Sequence, residues 1–464
     1  MLAVAAEIRS FSQLFAEVSE VQIPDYQRPY TWGEQQVAAL LLDLHTAFAG
    51  PQPEPEYYLG SVVFYRNAQT DAYEIIDGQQ RLTTLLVVQY VLQGALPAKV
   101  NLELRTHQST RNLLVAQRCI EARLTALELR SITGLLDRLT FTRLVIPTED
   151  AAFTFFDTQN NRGLPLAVPD YLKAYHLRAI RPAPGLPQAE ALQAAYAQAW
   201  EQLDAAPGAG ALSVLFERML WRARHWRGQQ PLTFETRDQL LHAFQPPATG
   251  AATLGTSGGL LRGARPDECP PAPAPAAQLP YSMRAFSLRQ PLSSGGHFFE
   301  YIRKYAQVFT LLFGEATGSA PLAPLRTFWA AVYPVEMSAY LREFMQLCLL
   351  LYHDSFGTVE LLQAAHCFDY WVGGLRLLRQ QVRRESVTRL LREWPHNLLD
   401  LIAQAYTPAE LFATVYGLEE LREIYAQQAE LPDEQLGRVQ YQYRRRLLTY
   451  FGRTHAELLT RELW

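Results

Sequence analysis

An α+β fold for the first part of the chain and an all-helical second part are what the sequence predicts. Three observations carry this. Strand-like and helix-like patterns alternate through about the first 180 residues. From about residue 190 onward, nearly every periodic segment has helical spacing. A stretch rich in proline, glycine and alanine, "PPATGAATLGTSGGLLRGARPDECPPAPAPAAQLP", interrupts the chain at 246–280. It holds too little apolar surface to order itself and reads as a linker.

The elements follow in order. "TWGEQQVAALLLDLHTAF" starts a helix, with Thr31 three residues before Glu34 at the spacing of a capping box. "YYLGSVVFYR" and "AYEIID" are β-rich and flank "NAQTD" as a hairpin. A helix opens at Gln79 or Gln80, and helical spacing then extends through Arg130. "TRLVIP" is a short strand, "AAFTFFDTQ" a helix and "NNRGLPLAV" an irregular loop, with Pro169 near the first turn of "DYLKAYHLRAI". The organisation expected is a first domain over 1–185, a helical extension over 186–245, the linker over 246–280 and a helical domain over 281–464.

At 464 residues the chain is too long for one core, and 48% apolar with 19% charged residues suits a soluble globular protein. The net charge of −4 exerts no global pull on nucleic acid, so DNA contact would need a local patch. Cys119, Cys269, Cys348 and Cys367 are far apart without a C-x-x-C pair, which argues against a zinc site and for a reducing compartment. "MLAVAAEIRSFSQLFAEVSE" lacks the features of a signal peptide, and "FMQLCLLLY" is too short to span a bilayer. No membrane association and a cytoplasmic location are expected.

Three polar constellations stand out. In "IPDYQRPYTW", Pro24 and Pro29 keep the backbone extended around Tyr26, Gln27 and Arg28. A guanidinium fork suits phosphate, and the faces of Tyr26, Tyr30 and Trp32 suit a stacked base, although the same aromatics could plug a core. In "YEIIDGQQRLTTLLVV", Gly78 permits close backbone approach at a helix N-terminus, whose free N–H groups attract anions, and Arg81 adds a full charge. Asp77 could accept a hydroxyl, ligate a metal held by the anion, or cap the helix. Gln79 and Gln80 have no ordinary turn role. In "FDTQNNRGLPLAVPDYLKAY", Asn160, Asn161, Arg162 and Gly163 form a polar knot, with Asp170 and Lys173 on one face of the next helix. A helix C-cap explains the asparagines and glycine but not Arg162.

The order and spacing of these three motifs resemble the N-terminal domain family of the GmrSD restriction endonucleases, itself similar to the ParB/sulfiredoxin-like nucleotide-binding fold. The likeness covers roughly residues 10–180 and extends weakly to "GGHFFEYIRKY". It implies a site that binds and hydrolyses a nucleoside triphosphate with Mg²⁺. Tyr26, Gln27, Arg28 and Tyr30 would line one wall, and Asp77, Gly78, Gln79, Gln80 and Arg81 would form the phosphate-facing turn. Asn160, Arg162, Gly163 and Lys173 would close the third side. Catalysis would fall to Asp77, to Gln79 or Gln80 orienting water, and to Arg81 with Arg28 on the phosphates. There is no G-x-x-x-x-G-K-[ST] stretch.

Many relatives continue into a histidine-based HNH nuclease. Here His353, His366, His396 and His455 lack a second ligand at a convincing spacing, and His396-Asn397 reads as a helix cap. The expected function is therefore a nucleotide-dependent sensor or regulatory component of a DNA-restriction or anti-phage system. The alternative is a non-catalytic DNA-binding or scaffold protein that uses nucleotide as a switch. Expected partners are nucleotide, DNA, and a separate nuclease subunit or a further copy of the chain. Two stretches offer arginines for DNA: Arg222 and Arg224 among tryptophans, and Arg376, Arg379 and Arg383 on one helical face. Solvated helix faces paired with nearby acids are the plainer reading of both.

Overall fold

A computed structural model describes residues 5–16, 18–24, 27, 29–67, 70–101, 107–148, 151–152, 155, 167–180, 189–204, 211–229, 232–245, 286–314, 322–334, 338–379 and 381–453. These divide into two compact units.

The first unit is a mixed sheet with helices. Its elements are β1 (Ala5–Ser10), α1 (Phe11–Ala16), β2 (Val21–Gln22), α2 (Glu34–Ala49), β3 (Tyr57–Arg66), β4 (Tyr73–Asp77), α3 (Gln79–Gln93), β5 (Val100–Asn101), α4 (His107–Ala126) and β6 (Leu139–Ile146). The sheet has six strands in the order β1-β6-β3-β4-β2-β5. β3 and β4 form the expected antiparallel hairpin, closed by the Asn67 N–H donating to the Ala72 carbonyl at 2.9 Å. β2 runs parallel to both β4 and β5, and β3 runs parallel to β6. The loops after β2 and β4 therefore leave from the carboxyl ends of adjacent parallel strands, the edge at which open α/β sheets gather ligands.

α3 is apolar nearly all round. Leu82, Leu85, Leu86 and Val88 are sealed in the core, and Thr83 and Thr84 are buried with them. A helix with so little polar face has to lie inside the unit, packed here on α4. α2 starts at Glu34, but its cap is Gly33, whose N–H donates to Gln36 Oε1 at 3.0 Å. Thr31, expected as the capping residue, uses its N–H elsewhere. α5 (Val168–Arg178) and α6 (Ala189–Asp204) complete this unit. They are joined by an ion pair of Lys173 with Glu201 and by Gln193 Nε2 donating to the Leu177 carbonyl at 3.1 Å.

Residues 186–245, expected as one extension, are shared: α6 belongs to the first unit and 211–245 to the second. The second unit is helical throughout its described length. α7 (Ala211–Val214), a π-helical segment (Leu215–Trp221) and α8 (Arg222–His225) run on as one rod, followed by α9 (Arg237–Phe244). Then come α10 (Gly296–Phe313), α11 (Ala323–Val332), α12 (Ala339–Phe356), α13 (Leu361–Leu378), α14 (Arg384–Glu393), α15 (Leu398–Gln404), α16 (Pro408–Tyr416), α17 (Glu419–Glu430) and α18 (Arg438–Tyr450). "GGHFFEYIRKY" opens α10. Its Tyr305 hydroxyl donates to Asp354 Oδ1 at 2.6 Å, tying α10 to α12. The linker 246–280 and the helix expected over "AAFTFFDTQ" lie, wholly or for the most part, outside the described residues. Among the described residues, no helix is long and apolar enough to cross a membrane.

Candidate functional site

Gly78 makes the turn after β4. It caps α3 in a left-handed conformation with φ of 88°, and an added Cβ would lie 2.8 Å from Val62 Cγ1, so conformation and space both demand glycine. No side chain caps α3 and its first turn carries no acid, which leaves the N-terminal end of the helix dipole open to an anion. Asp77 is not the cap. It stands half-buried at the end of β4, and its carboxylate has no hydrogen-bond or ion-pair partner among the described residues.

The two glutamines have separate surroundings. Gln80 is buried, and its amide is held by the loop after β2. Oε1 accepts from the N–H of Thr31 at 2.8 Å and of Trp32 at 3.3 Å, while Nε2 donates to the Pro29 carbonyl at 3.1 Å. Gln80 is therefore a clamp between the two motifs. Gln79, also buried, is the first residue of α3. Gln27 mirrors Gln80 from the opposite loop: its Nε2 donates to the carbonyls of Ile75 at 3.1 Å and Ile76 at 2.7 Å, just before Asp77. Three residues expected to touch ligand thus divide, and two of them lock "IPDYQRPYTW" onto "YEIIDGQQR".

Arg81 has a similar double duty. Its guanidinium donates to the Leu59 carbonyl and, at 2.9 Å, to the Ser61 carbonyl. Gly60 lies between them with φ of 93°, and a Cβ there would meet Arg81 Nη1 at 2.6 Å. Sequence reasoning missed Gly60, although an isolated glycine inside a strand pattern is a signal of close backbone approach. A guanidinium has five N–H donors, so Arg81 holds the kinked start of β3 and keeps donors for an anion.

Tyr30 is corrected. It was expected to offer a ring for stacking, but it is 1% exposed. Its hydroxyl is 2.8 Å from Thr84 Oγ1, its N–H donates to Ser109 Oγ at 2.9 Å, and its carbonyl accepts from Asn112 Nδ2 at 2.9 Å. Burial raises its phenol pKa above the ordinary value. The aromatic is a core plug that fixes the loop to α3 and α4. Lys173 is corrected too: at 3% exposed and paired with Glu201, it is a strut between α5 and α6. Tyr26, Arg28, Asn160, Arg162 and Gly163 lie outside the described residues. Among the described residues, no three His, Cys, Asp or Glu side chains gather to hold a metal.

The expected DNA-facing arginines are largely internal. Arg222 is 6% exposed, paired with Glu235 at 2.9 Å and Glu343 at 3.2 Å, and set over the Trp226 ring. Arg224 donates to the carbonyls of Leu288 at 3.1 Å and Gln290 at 2.7 Å. Arg376 is 2% exposed and donates to the Arg379 carbonyl at 2.6 Å. Arg379 and Arg383 are exposed, but α13 ends at Leu378 and Arg383 precedes α14, so no shared helical face exists. Asn397 does cap α15, its side chain accepting from the Leu399 N–H at 3.0 Å, as the helix-cap reading of "PHN" expects.

Two family matches cover most of the chain, the second beginning inside α6 of the first unit. Residues 11–177 match the GmrSD restriction endonuclease N-terminal domain, and residues 192–429 match a family of unknown function designated DUF7834. No curated protein matches the chain. The second match spans just over half of the sequence, and the chain belongs to the DUF7834 family, carrying a GmrSD restriction endonuclease N-terminal domain ahead of that region. It is thus a component related to GmrSD restriction systems.

Proposed function

We propose that the first unit binds a nucleoside triphosphate at the turn after β4 and hydrolyses it, as the sensor or regulatory component of a DNA-restriction or anti-phage system. One observation carries the reading. Gln27, Gln80 and Tyr30 fasten the two motif loops into one wall, and what that wall leaves unfastened is Asp77 and the uncapped start of α3. The helix N-terminus and the donors left on Arg81 would receive phosphate oxygens. Asp77 would face the same anion, and Gln79, the first residue of α3, would lie beside it at the helix start to orient a water. A lone carboxylate fits Mg²⁺, which usually takes one or two carboxylates and completes its shell with substrate phosphates and water. Bound there, the ion would offset phosphate charge. Positioning and charge neutralisation are what phosphoryl transfer to water requires.

A second reading rests on Gln80 and Arg81. Both are committed to main-chain groups, which suits a site that binds nucleotide and changes its loops without turnover. One experiment separates the two. Phosphate release is measured with each of four NTPs and Mg²⁺, with and without DNA, beside calorimetric binding and Asp77→Asn. Turnover lost by on the order of 100-fold in Asp77→Asn, with stability within about 0.5 kcal/mol of the parent, supports hydrolysis at this turn. Binding with negligible turnover supports the switch. Absence of both binding and turnover overturns the nucleotide site.

A further inference from the structure

β1 forms one edge of the six-stranded sheet. Its residues pair with β6 without a break in register, from Ala5 opposite Val145 to Ser10 opposite Thr140, and among the described residues no strand covers its outer side. Such an edge carries a row of backbone donors and acceptors that can template another strand, and proteins usually blunt it with a proline, a bulge or a very short strand. At the opposite edge, the described part of β5 is two residues long. β1 has no proline and no bulge, its edge charges are Glu7 and Arg9, and Ile8 at its middle is 70% exposed.

The charges on β1 are arranged for one partner. Glu7 and Arg9 flank Ile8, share the face opposite to it, and form an ion pair at 2.9 Å with both side chains partly exposed. When β1 pairs antiparallel with a second β1 centred on Ile8, each Glu7 stands opposite Arg9 of the other copy, and the two Ile8 side chains meet on the axis. A shift of two residues in one direction sets Glu7 against Glu7, and in the other direction Arg9 against Arg9. In-register parallel pairing stacks like on like throughout. Opposite charges directly across a strand pair stabilise it and like charges destabilise it, so among these alignments the charges favour the one centred on Ile8.

We propose that β1 is a self-association edge: a second copy of the chain docks antiparallel on it, centred on Ile8, and joins the two sheets into one. The pairing is isologous, the same patch on both copies, as a closed two-fold dimer requires. Six residues of strand bury little surface, so the dimer is weak and concentration-dependent, roughly micromolar or weaker.

The test is sedimentation of the full chain from about 1 to about 100 µM, where a dissociation constant in that range is read directly. The average mass is expected to climb toward that of two chains, and Ile8→Lys, which sets two ammonium groups face to face, is expected to hold it at one. Glu7→Arg and Arg9→Glu are each expected to weaken association about tenfold or more, by repulsion across both charge pairs. An equimolar mixture of these two variants is expected to associate again, because opposite charges then face each other between copies although neither chain has regained its own pair. That rescue reports an intermolecular contact and not repaired folding. Should either charge variant unfold, as judged by near-UV circular dichroism, Ile8→Lys decides alone. A chain that stays monomeric over the range, a dimer indifferent to Ile8→Lys, or well-folded charge variants whose mixture associates no better than either alone overturns the proposal. Nucleotide turnover does not enter these readouts, so the outcome is independent of the function proposed above.

Discussion

Gln80→Met tests whether this glutamine builds the site or acts in it. Methionine keeps the length and most of the volume of the side chain but removes both the acceptor for Thr31 and Trp32 and the donor for Pro29. Each buried polar group left without a partner costs about 1–3 kcal/mol. Thr31 is exposed, and Trp32 and Pro29 are half-buried, so water recovers part of the loss. A net destabilisation of about 2 kcal/mol follows. That lowers the melting midpoint of a domain of this size by about 4–8 °C. Because the clamp holds the wall against α3, nucleotide affinity should fall together with turnover. Scanning calorimetry and nucleotide titration on the same protein supply both numbers. A variant that melts with the parent and binds nucleotide normally, yet has lost turnover, would refute the clamp and restore Gln80 as a catalytic residue.

Other expectations follow from single contacts. Gly78→Ala should cost about 2–4 kcal/mol, from the left-handed backbone and the collision with Val62, measured by denaturant unfolding. Arg222→Ala should cost about 2 kcal/mol by taking one of two arginine partners from Glu235, which keeps Arg384, and from Glu343, which keeps Arg218, whereas Arg383→Glu should stay within about 0.5 kcal/mol of the parent. DNA retention lost only in the first variant would therefore report unfolding, which circular dichroism at the assay temperature would show. Acid should weaken the second unit through His353 and His366, both held down to about 4, chiefly by burial. The unfolded chain takes up their protons near pH 6.5 while the folded chain does not, so stability falls as pH drops from about 6.5 toward about 4. His353, the more deeply buried, accounts for roughly 2 kcal/mol at pH 5, and denaturant titrations at pH 7 and pH 5 should show the difference shrinking in His353→Leu.

Local signals were legible in the sequence, and long-range polar partners were not. The hairpin around "NAQTD", the turn at Gly78 and the cap at Asn397 each depend on residues within a few positions of one another. The roles of Gln80 and Tyr30 depend on partners 49 and 54 positions away, and Arg222 meets Glu343 across 121. Nothing in the neighbourhood of a glutamine or an arginine records a partner so distant. The arginine stripe failed for a different reason: "RQQVRRES" carries no glycine or proline to mark the break between α13 and α14.

The residues misread at the site share a physical logic. On the function proposed above, the wall faces an anion, and it has to be fastened without placing fixed charges of its own where the ligand's charge would lie. A primary amide does this well, since it donates and accepts at once and carries no net charge. Gln27 and Gln80 supply that fastening from opposite loops. Arg81, the one cation of the turn, is aimed by two carbonyls of β3 before any ligand arrives, so little ordering remains to be done when an anion binds. The unusual density of amides beside Gly78 is thus explained by construction of the wall, and Asp77, with no structural partner among the described residues, is where substitution separates chemistry from architecture.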